Sequence, residues 1–277
     1  MQPHFYHIHP ALQHLVSSIC IMEMDFGLHN INTQYHYPWS TQTRLCFYIH
    51  GDLLQTKKDD ETTFTTCPEV FVVGPQMKGV MLNYGRSCTA VAICFHAGAL
   101  HRLLNIPLAE ISNQEIDATF LFGNEVKELN AKMQEAGSFK EIGDLLEGFL
   151  LRRLASAADL LPFDSAFNEV VRRNGNISVD NMASLSCLST RQFERKCNEK
   201  LGMSPRLFAM LIRFSKAYAI KEKNPSLTWS DIAMNMGFYD QAHLVKSFKM
   251  FAGNNPSFVD QQIPSSLKVV SALEVHQ

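Results

Sequence analysis

A chain of 277 residues with 46% hydrophobic and 19% charged residues is long enough for two domains with separate cores, and its composition is neither disordered nor fibrous. No apolar run approaches the roughly 18 residues of a membrane span, and the first residues lack a basic stretch followed by a hydrophobic one, so nothing directs the chain out of the cytoplasm. Charge is uneven: residues 1–162 hold 11 Lys and Arg against 17 Asp and Glu, net −6, whereas residues 163–262 hold 13 against 9, net +4, which places any nucleic-acid contact in the C-terminal part.

The seven cysteines (Cys20, Cys46, Cys67, Cys88, Cys94, Cys187 and Cys197) form no CxxC pair, and an odd number leaves one unpaired in any disulfide scheme. Reduced, mostly buried thiols in a cytoplasmic protein are expected. The N-terminal histidines His4, His7, His9 and His14 follow no helical or strand register that would converge them on a metal, so a surface or strand-edge role is the reading.

Leu15 to Phe26 is apolar and partly β-branched and predicts an early strand; further strands are predicted over 44–50, 70–73, 80–84 and 89–96. Between them lie Gly51-Asp52, Gly74-Pro75, Lys78-Gly79 and Gly85-Arg86, all turn chemistry. Short strands with frequent turns predict a small cupin-like β-barrel. His36, His50 and His96 are scattered, with no His-x-His followed by a nearby Glu, so a cupin metal site and catalysis are not expected. The barrel is still a natural small-molecule pocket, and its candidate lining is Tyr35, His36, Trp39, Arg44 and Tyr48, with plain core packing as the alternative for the aromatic residues.

Leu103, Leu104, Ile106 and Pro107 mark a change from strands to helices. Residues 124–158 predict two helices, the second with a stripe of Ile142, Leu145, Leu146, Phe149 and Leu150 that either packs onto the barrel or forms a subunit interface. Leu161-Pro162-Phe163-Asp164 is the expected boundary, with Asp164 as the cap of the next helix. This divides the chain into an effector or dimerisation domain over 1–161 (β-rich to 100, then helical), a DNA-binding domain over 162–262 and a tail over 263–277.

From Ser178 onward the chain repeats itself. A shift of 50 residues superposes Ser178, Met182, Ala183 and Leu188 on Thr228, Ile232, Ala233 and Phe238; after one extra residue near Tyr239, a shift of 51 superposes Phe193, Arg195, Gly202 and Pro205 on Leu244, Lys246, Gly253 and Pro256. Each half predicts a helix capped by Ser178 or Thr228, a turn at Ser186-Cys187 or Met236-Gly237, and a second helix capped by Ser189 or Asp240. This is a helix-turn-helix unit, twice. On the second helices Phe193, Cys197, Leu244 and Phe248 face the core. Arg191, Glu194, Arg195, Gln241, Ala242, Val245 and Lys246 then face outward as candidate base contacts. Ser189, Thr190, Lys196, Lys200, Arg206, Arg213 and Lys249 are the candidate phosphate contacts.

The runs Leu188-Ser189-Thr190-Arg191-Gln192-Phe193-Glu194-Arg195, Leu201-Gly202-Met203-Ser204-Pro205 and Gly237-Phe238-Tyr239-Asp240-Gln241-Ala242-His243-Leu244 resemble the AraC/XylS family of bacterial transcription regulators over roughly the last 100 residues. The resemblance implies two helix-turn-helix subdomains joined by a long helix, here about Pro205 to Lys223, that place two recognition helices in successive major-groove segments. Ala242, Leu244, Lys246 and Asn255-Pro256 depart from the family's second unit, and Cys197 stands where Phe is usual, so base readout is better founded in the first unit. Phe95 to Leu100 together with Val72 to Pro75 resembles an uncharacterised sensor-type domain found in front of AraC-type domains.

The expected fold is therefore α+β in two domains: a cupin-like β-barrel with accessory helices, then an all-α double helix-turn-helix domain. The expected function is that of a cytoplasmic, sequence-specific transcription regulator, without enzymatic activity or cofactor, controlled by a small molecule in the N-terminal domain. Its expected partners are double-stranded DNA, a small-molecule effector, a second copy of the chain and, for an activator, RNA polymerase. Two other classes stay open. One is a ligand-independent regulator whose N-terminal domain only dimerises or docks a protein. The other is an enzyme, either a metal-dependent cupin or an Ada-like repair protein with a reactive Cys, which stoichiometric metal in purified protein would reveal.

Overall fold

The computed structural model describes residues 3–27 and 32–257; the tail over 263–277 lies outside the described residues. Ten strands precede or interleave with the first helices: β1 (Pro3–Phe5), β2 (Val16–Asp25), β3 (Gln34–Tyr37), β4 (Arg44–Gly51), β5 (Gln55–Lys58), β6 (Thr65–Thr66), β7 (Val70–Val73), β8 (Val80–Asn83), β9 (Ser87–Phe95) and β10 (Glu115–Asp117). They form a six-stranded sheet in the order β1-β2-β9-β4-β7-β10 and a four-stranded sheet in the order β3-β8-β5-β6, all pairings antiparallel.

Strand alternation divides the large sheet between two cores. Cys20, Met22, Tyr48, Phe71, Val73, Ala90 and Ala92 point to the small sheet. Their neighbours Ile19, Ile21, Leu45, Phe47, Val72, Val91 and Ile93 point the other way, onto helices. Those helices are α1 (Ala99–Leu104), α2 (Thr119–Phe122), α3 (Glu125–Glu135) and α4 (Phe139–Leu154). The α4 stripe of Ile142, Leu146, Phe149 and Leu150 is buried in this second core, with Leu145 packed at its margin. The stripe is thus committed within the chain, the first of the two alternatives read from the sequence.

The C-terminal part is all-helical: α5 (Pro162–Arg172), α6 (Val179–Leu185), α7 (Thr190–Leu201), α8 (Pro205–Lys223), α9 (Trp229–Asn235) and α10 (Gln241–Phe251). Helix α5 begins at the expected boundary, but Leu161 occupies the cap position and Asp164 works from the third helical residue, accepting the Leu161 N–H at 2.9 Å. Hydroxyl caps at Ser178, Ser189, Ser204 and Thr228, and the Asp240 carboxylate, each accept the N–H three residues on. Gln192 and Asp231 return the bond to the caps Ser189 and Thr228, closing two capping boxes. The long helix α8 runs through the middle. Phe208 packs with Phe167 on the side of the first unit, and Phe214 with Phe248 and Phe251 on the side of the second.

Candidate DNA interface and effector cavity

Each second helix of the repeat is amphipathic in the expected sense. In α7, Phe193 and Cys197 are buried and Arg191, Glu194 and Arg195 are exposed; in α10, Leu244 and Phe248 are buried, Gln241, Ala242 and Lys246 are exposed and Val245 is half-buried. Ser189, Arg206 and Lys249 are exposed as well, while Lys196 is half-buried with its ammonium 5.9 Å from the Phe163 ring centre. The Thr190 hydroxyl donates to Asp180 at 3.0 Å, tying α7 to α6 across the turn.

Two cations face elsewhere than expected. Lys200 is buried and its ammonium lies 3.0 Å from the Asp164 carboxylate, so it locks α7 to α5 and is not available to a phosphate. Arg213 is half-buried, donates to the Gly175 carbonyl at 2.8 Å and stacks over Phe238 at 5.7 Å. Burial pushes its pKa down, and its role is internal. Beside it the Asn176 amide donates to the Met236 carbonyl at 3.0 Å, so the loop before α6 braces the turn of the second unit. Gly237 closes that turn at φ 69°, where a Cβ would stand 2.6 Å from the Asn176 side chain. Sequence pattern gave no signal for this brace, because its donors are 38 and 60 residues from their acceptors.

The N-terminal domain touches both units. Gly202, after α7, sits so close to the turn over Leu108–Ile111 that a Cβ would meet the Ala109 N–H at 3.2 Å and the Ser112 hydroxyl at 2.7 Å. Strand β3 and the residues after it meet the second unit: the Tyr35 hydroxyl donates to the fully buried Glu222 at 3.2 Å and lies 3.4 Å from the Tyr218 hydroxyl, both on α8. Trp39 donates its N–H to the Phe251 carbonyl at 2.9 Å and packs edge-on against the Phe251 ring.

Between the two sheets lies a cavity of about 60 Å³ lined by apolar residues such as Met22, Leu54, Phe71 and Leu82, and by Tyr37, Arg44, Tyr48, Gln76 and Glu115. Of the five expected lining residues, Arg44 and Tyr48 are there. Tyr35 and Trp39 instead hold the second unit, and His36 points outward to Asp59 at 3.3 Å. Gln76 and Glu115 come from segments without apolar alternation, which left them unmarked in the sequence. Burial pushes the thiols of Cys20, Cys46, Cys67 and Cys88 up to about 12, so at neutral pH they are inert packing groups. Among the described residues no group of three or more His, Cys, Asp and Glu could hold a metal ion, and no helix is long and apolar enough to cross a membrane.

Two helix-turn-helix units on one central helix, fronted by a two-sheet domain with an internal cavity, define a double helix-turn-helix architecture. Residues 182–262 match a helix-turn-helix domain family, and residues 4–117 match a domain of unknown function, DUF6597. No curated protein matches the chain by sequence. Among solved structures, apo ToxT of Vibrio cholerae is similar in fold, with 13% identity, 88% of this chain and 97% of that chain covered, and a TM-score of 0.51. Another ToxT crystal form gives 11% identity, 90% and 98% coverage and a TM-score of 0.48; the AraC-like transcriptional activator CuxR gives 12%, 98% and 84%, and 0.26. The chain thus carries a C-terminal helix-turn-helix domain behind a sheet-rich domain of the DUF6597 family, in a fold similar to that of ToxT.

Proposed function

We propose that the protein reads a specific DNA site with both units and that occupancy of the N-terminal cavity sets how tightly it does so. The observation that carries the DNA reading is the division of labour on α7 and α10. Their apolar faces are locked by Phe193, Cys197, Leu244 and Phe248, while Arg191, Glu194, Arg195, Gln241 and Lys246 are exposed on the opposite faces. Arg suits the O6 and N7 acceptors of guanine and Gln the N6 and N7 edge of adenine; Ser189, Arg206 and Lys249 suit phosphates.

Control by a ligand is supported by β3. Its Tyr37 ring carries the Arg44 guanidinium of the cavity at 4.7 Å, and two residues earlier, on the same face, Tyr35 grips α8. A ligand that shifts Tyr37 moves the strand that holds the second unit, which gives it a differential interaction with two states of the molecule.

The test is selection of a random DNA library on the full-length protein followed by sequencing of the bound fraction. The expected result is an asymmetric site of two elements about one helical turn, roughly 10 base pairs, apart. Enrichment of a single element would confine base readout to one unit. No binding even at low salt would defeat the reading.

A further inference from the structure

The cavity contains a charge that the Tyr37 ring faces but that no carboxylate of the described residues pairs. Arg44 is 8% exposed, no carboxylate of the described residues forms an ion pair with it, and its Nε has no hydrogen-bond partner. Among the described residues the only acid of the lining is Glu115, two strands away: Arg44 pairs with Val73 and Val73 with Glu115, so the three side chains share a face with the outer two roughly 10 Å apart at their Cα atoms. Glu115 is already neutralised. Lys58 lies 3.4 Å from one of its oxygens, and the Gln76 amide donates to the other at 3.4 Å.

Because Gln76 directs its nitrogen to Glu115, its own oxygen, in a side chain only 2% exposed, is left as a buried acceptor without a donor. The lining therefore offers one excess positive charge and one unfilled acceptor in otherwise apolar surroundings. Buried ions and amides of this kind are tolerated in a native fold when something else completes them.

Resting on the reading of the cavity as an effector site, we propose that it binds a short organic carboxylate: the carboxylate takes the Arg44 guanidinium, and a hydroxyl on the adjacent carbon donates to Gln76 Oε1. The guanidinium fork matches a carboxylate and is held in place by the Tyr37 ring beneath it. Size limits the ligand. A cavity of about 150 Å³ holds benzene, so about 60 Å³ accommodates a molecule of the size of acetate or glycolate and excludes aromatic or long-chain acids from this conformation.

The test is calorimetric titration of the full-length protein with glycolate, acetate, glycolamide and nitrate at matched ionic strength, with binding in the micromolar to millimolar range that so small a ligand allows. Glycolate is expected to bind saturably, acetate about tenfold more weakly for want of the hydroxyl, and glycolamide at least tenfold more weakly than acetate for want of the charge. The Arg44→Met variant should lose glycolate binding while its Tm without ligand stays level or rises, since an unanswered buried charge has been removed.

Glycolamide binding as well as glycolate, nitrate binding in preference to both acids, or no saturable binding of any carboxylate would overturn the assignment, and the comparison of acid with amide decides it on the native protein even if the variant fails to fold. DNA affinity measured alongside separates the two proposals. Glycolate binding without a change in DNA affinity supports the site and overturns ligand control; a DNA response to a neutral molecule, with no carboxylate bound, does the reverse.

Discussion

One buried position near the end of the second helix differs in kind between the two halves of the repeat. The 51-residue shift superposes Lys200 on Phe251. In the first unit this position is an ammonium buried against Asp164 at 3.0 Å, so α7 is clamped to α5 of its own domain. In the second it is a ring packed against Trp39, with its carbonyl taking the Trp39 N–H at 2.9 Å, so α10 is clamped to the domain that contains the cavity. An ion pair fixes one helix locally; an apolar contact and one backbone bond tie the other to the segment after β3. Under the proposed ligand control, the second unit is the one that the segment after β3 would adjust.

The strongest way to break this contrast is at the clamp of the first unit. Asp164→Ala leaves Lys200 charged and buried without its partner, a loss of about 3 to 5 kcal/mol, and removes the acceptor of the Leu161 N–H at the start of α5. A thermal denaturation scan should show Tm falling by on the order of 10 °C. An unchanged Tm would mean that the Lys200 pair does not hold α7.

Readout is the next level. Arg191→Ala should cost about 1 to 3 kcal/mol at one base pair and relax specificity there, measured by competition between sites differing at single positions. Lys246→Ala on α10 should cost less and lower affinity more evenly across sequences, because an ammonium is a point charge without the guanidinium fork. Equal loss on all sequences for Arg191→Ala would remove it from base readout.

What the sequence made legible follows from how local each signal is. Hydroxyl and carboxylate caps with their partners three residues on are written in spacings of a few residues, and those at Ser178, Ser189, Thr228 and Asp240 stand where the pattern put them; the long helix from Pro205 to Lys223 stands where the family resemblance implied it. The apolar strands bounded by turn residues, β2, β4, β7, β8 and β9, were equally plain. Polar β5, with Thr56 alone buried, and short β10 carry no alternation, and the cavity depends on both through Thr56 and Glu115. Lys200 read as an outward cation because its partner lies 36 residues upstream on another helix. Tyr35 and Trp39 are aromatic in a way that fits a pocket wall; only the packing of β3 on α8 and α10 shows that they face the other domain.

The link from β3 to the second unit can be loosened by one atom. Tyr35→Phe removes the hydroxyl that donates to Glu222, a hydrogen bond to a carboxylate worth about 1 to 2 kcal/mol, without changing the ring. If docking restrains the second unit, affinity for a two-element site should rise by about three- to tenfold. Affinity for a site with only the first element should be unchanged, which anisotropy titrations on the two DNAs would report. A fall in two-element affinity would mean that the docked arrangement is the one that binds DNA.

The smallest effect tests the turns themselves. Both halves turn through a left-handed residue: Gly237 at φ 69° in the second, where glycine adopts that conformation freely, and Cys187 at φ 55° in the first, where a side chain makes it unfavourable. The Cys187 side chain is exposed, so replacing it sacrifices no packing. Cys187→Gly relieves the strained backbone by about 1 kcal/mol, offset in part by the greater freedom that glycine gives the unfolded chain, for a net gain of a few tenths of a kcal/mol. Urea denaturation should place the midpoint slightly higher with an unchanged slope, and selection on random DNA should return the same site. A destabilised variant would show that the first turn is held by the Cys187 side chain, so that the two turns are less alike than their backbones make them.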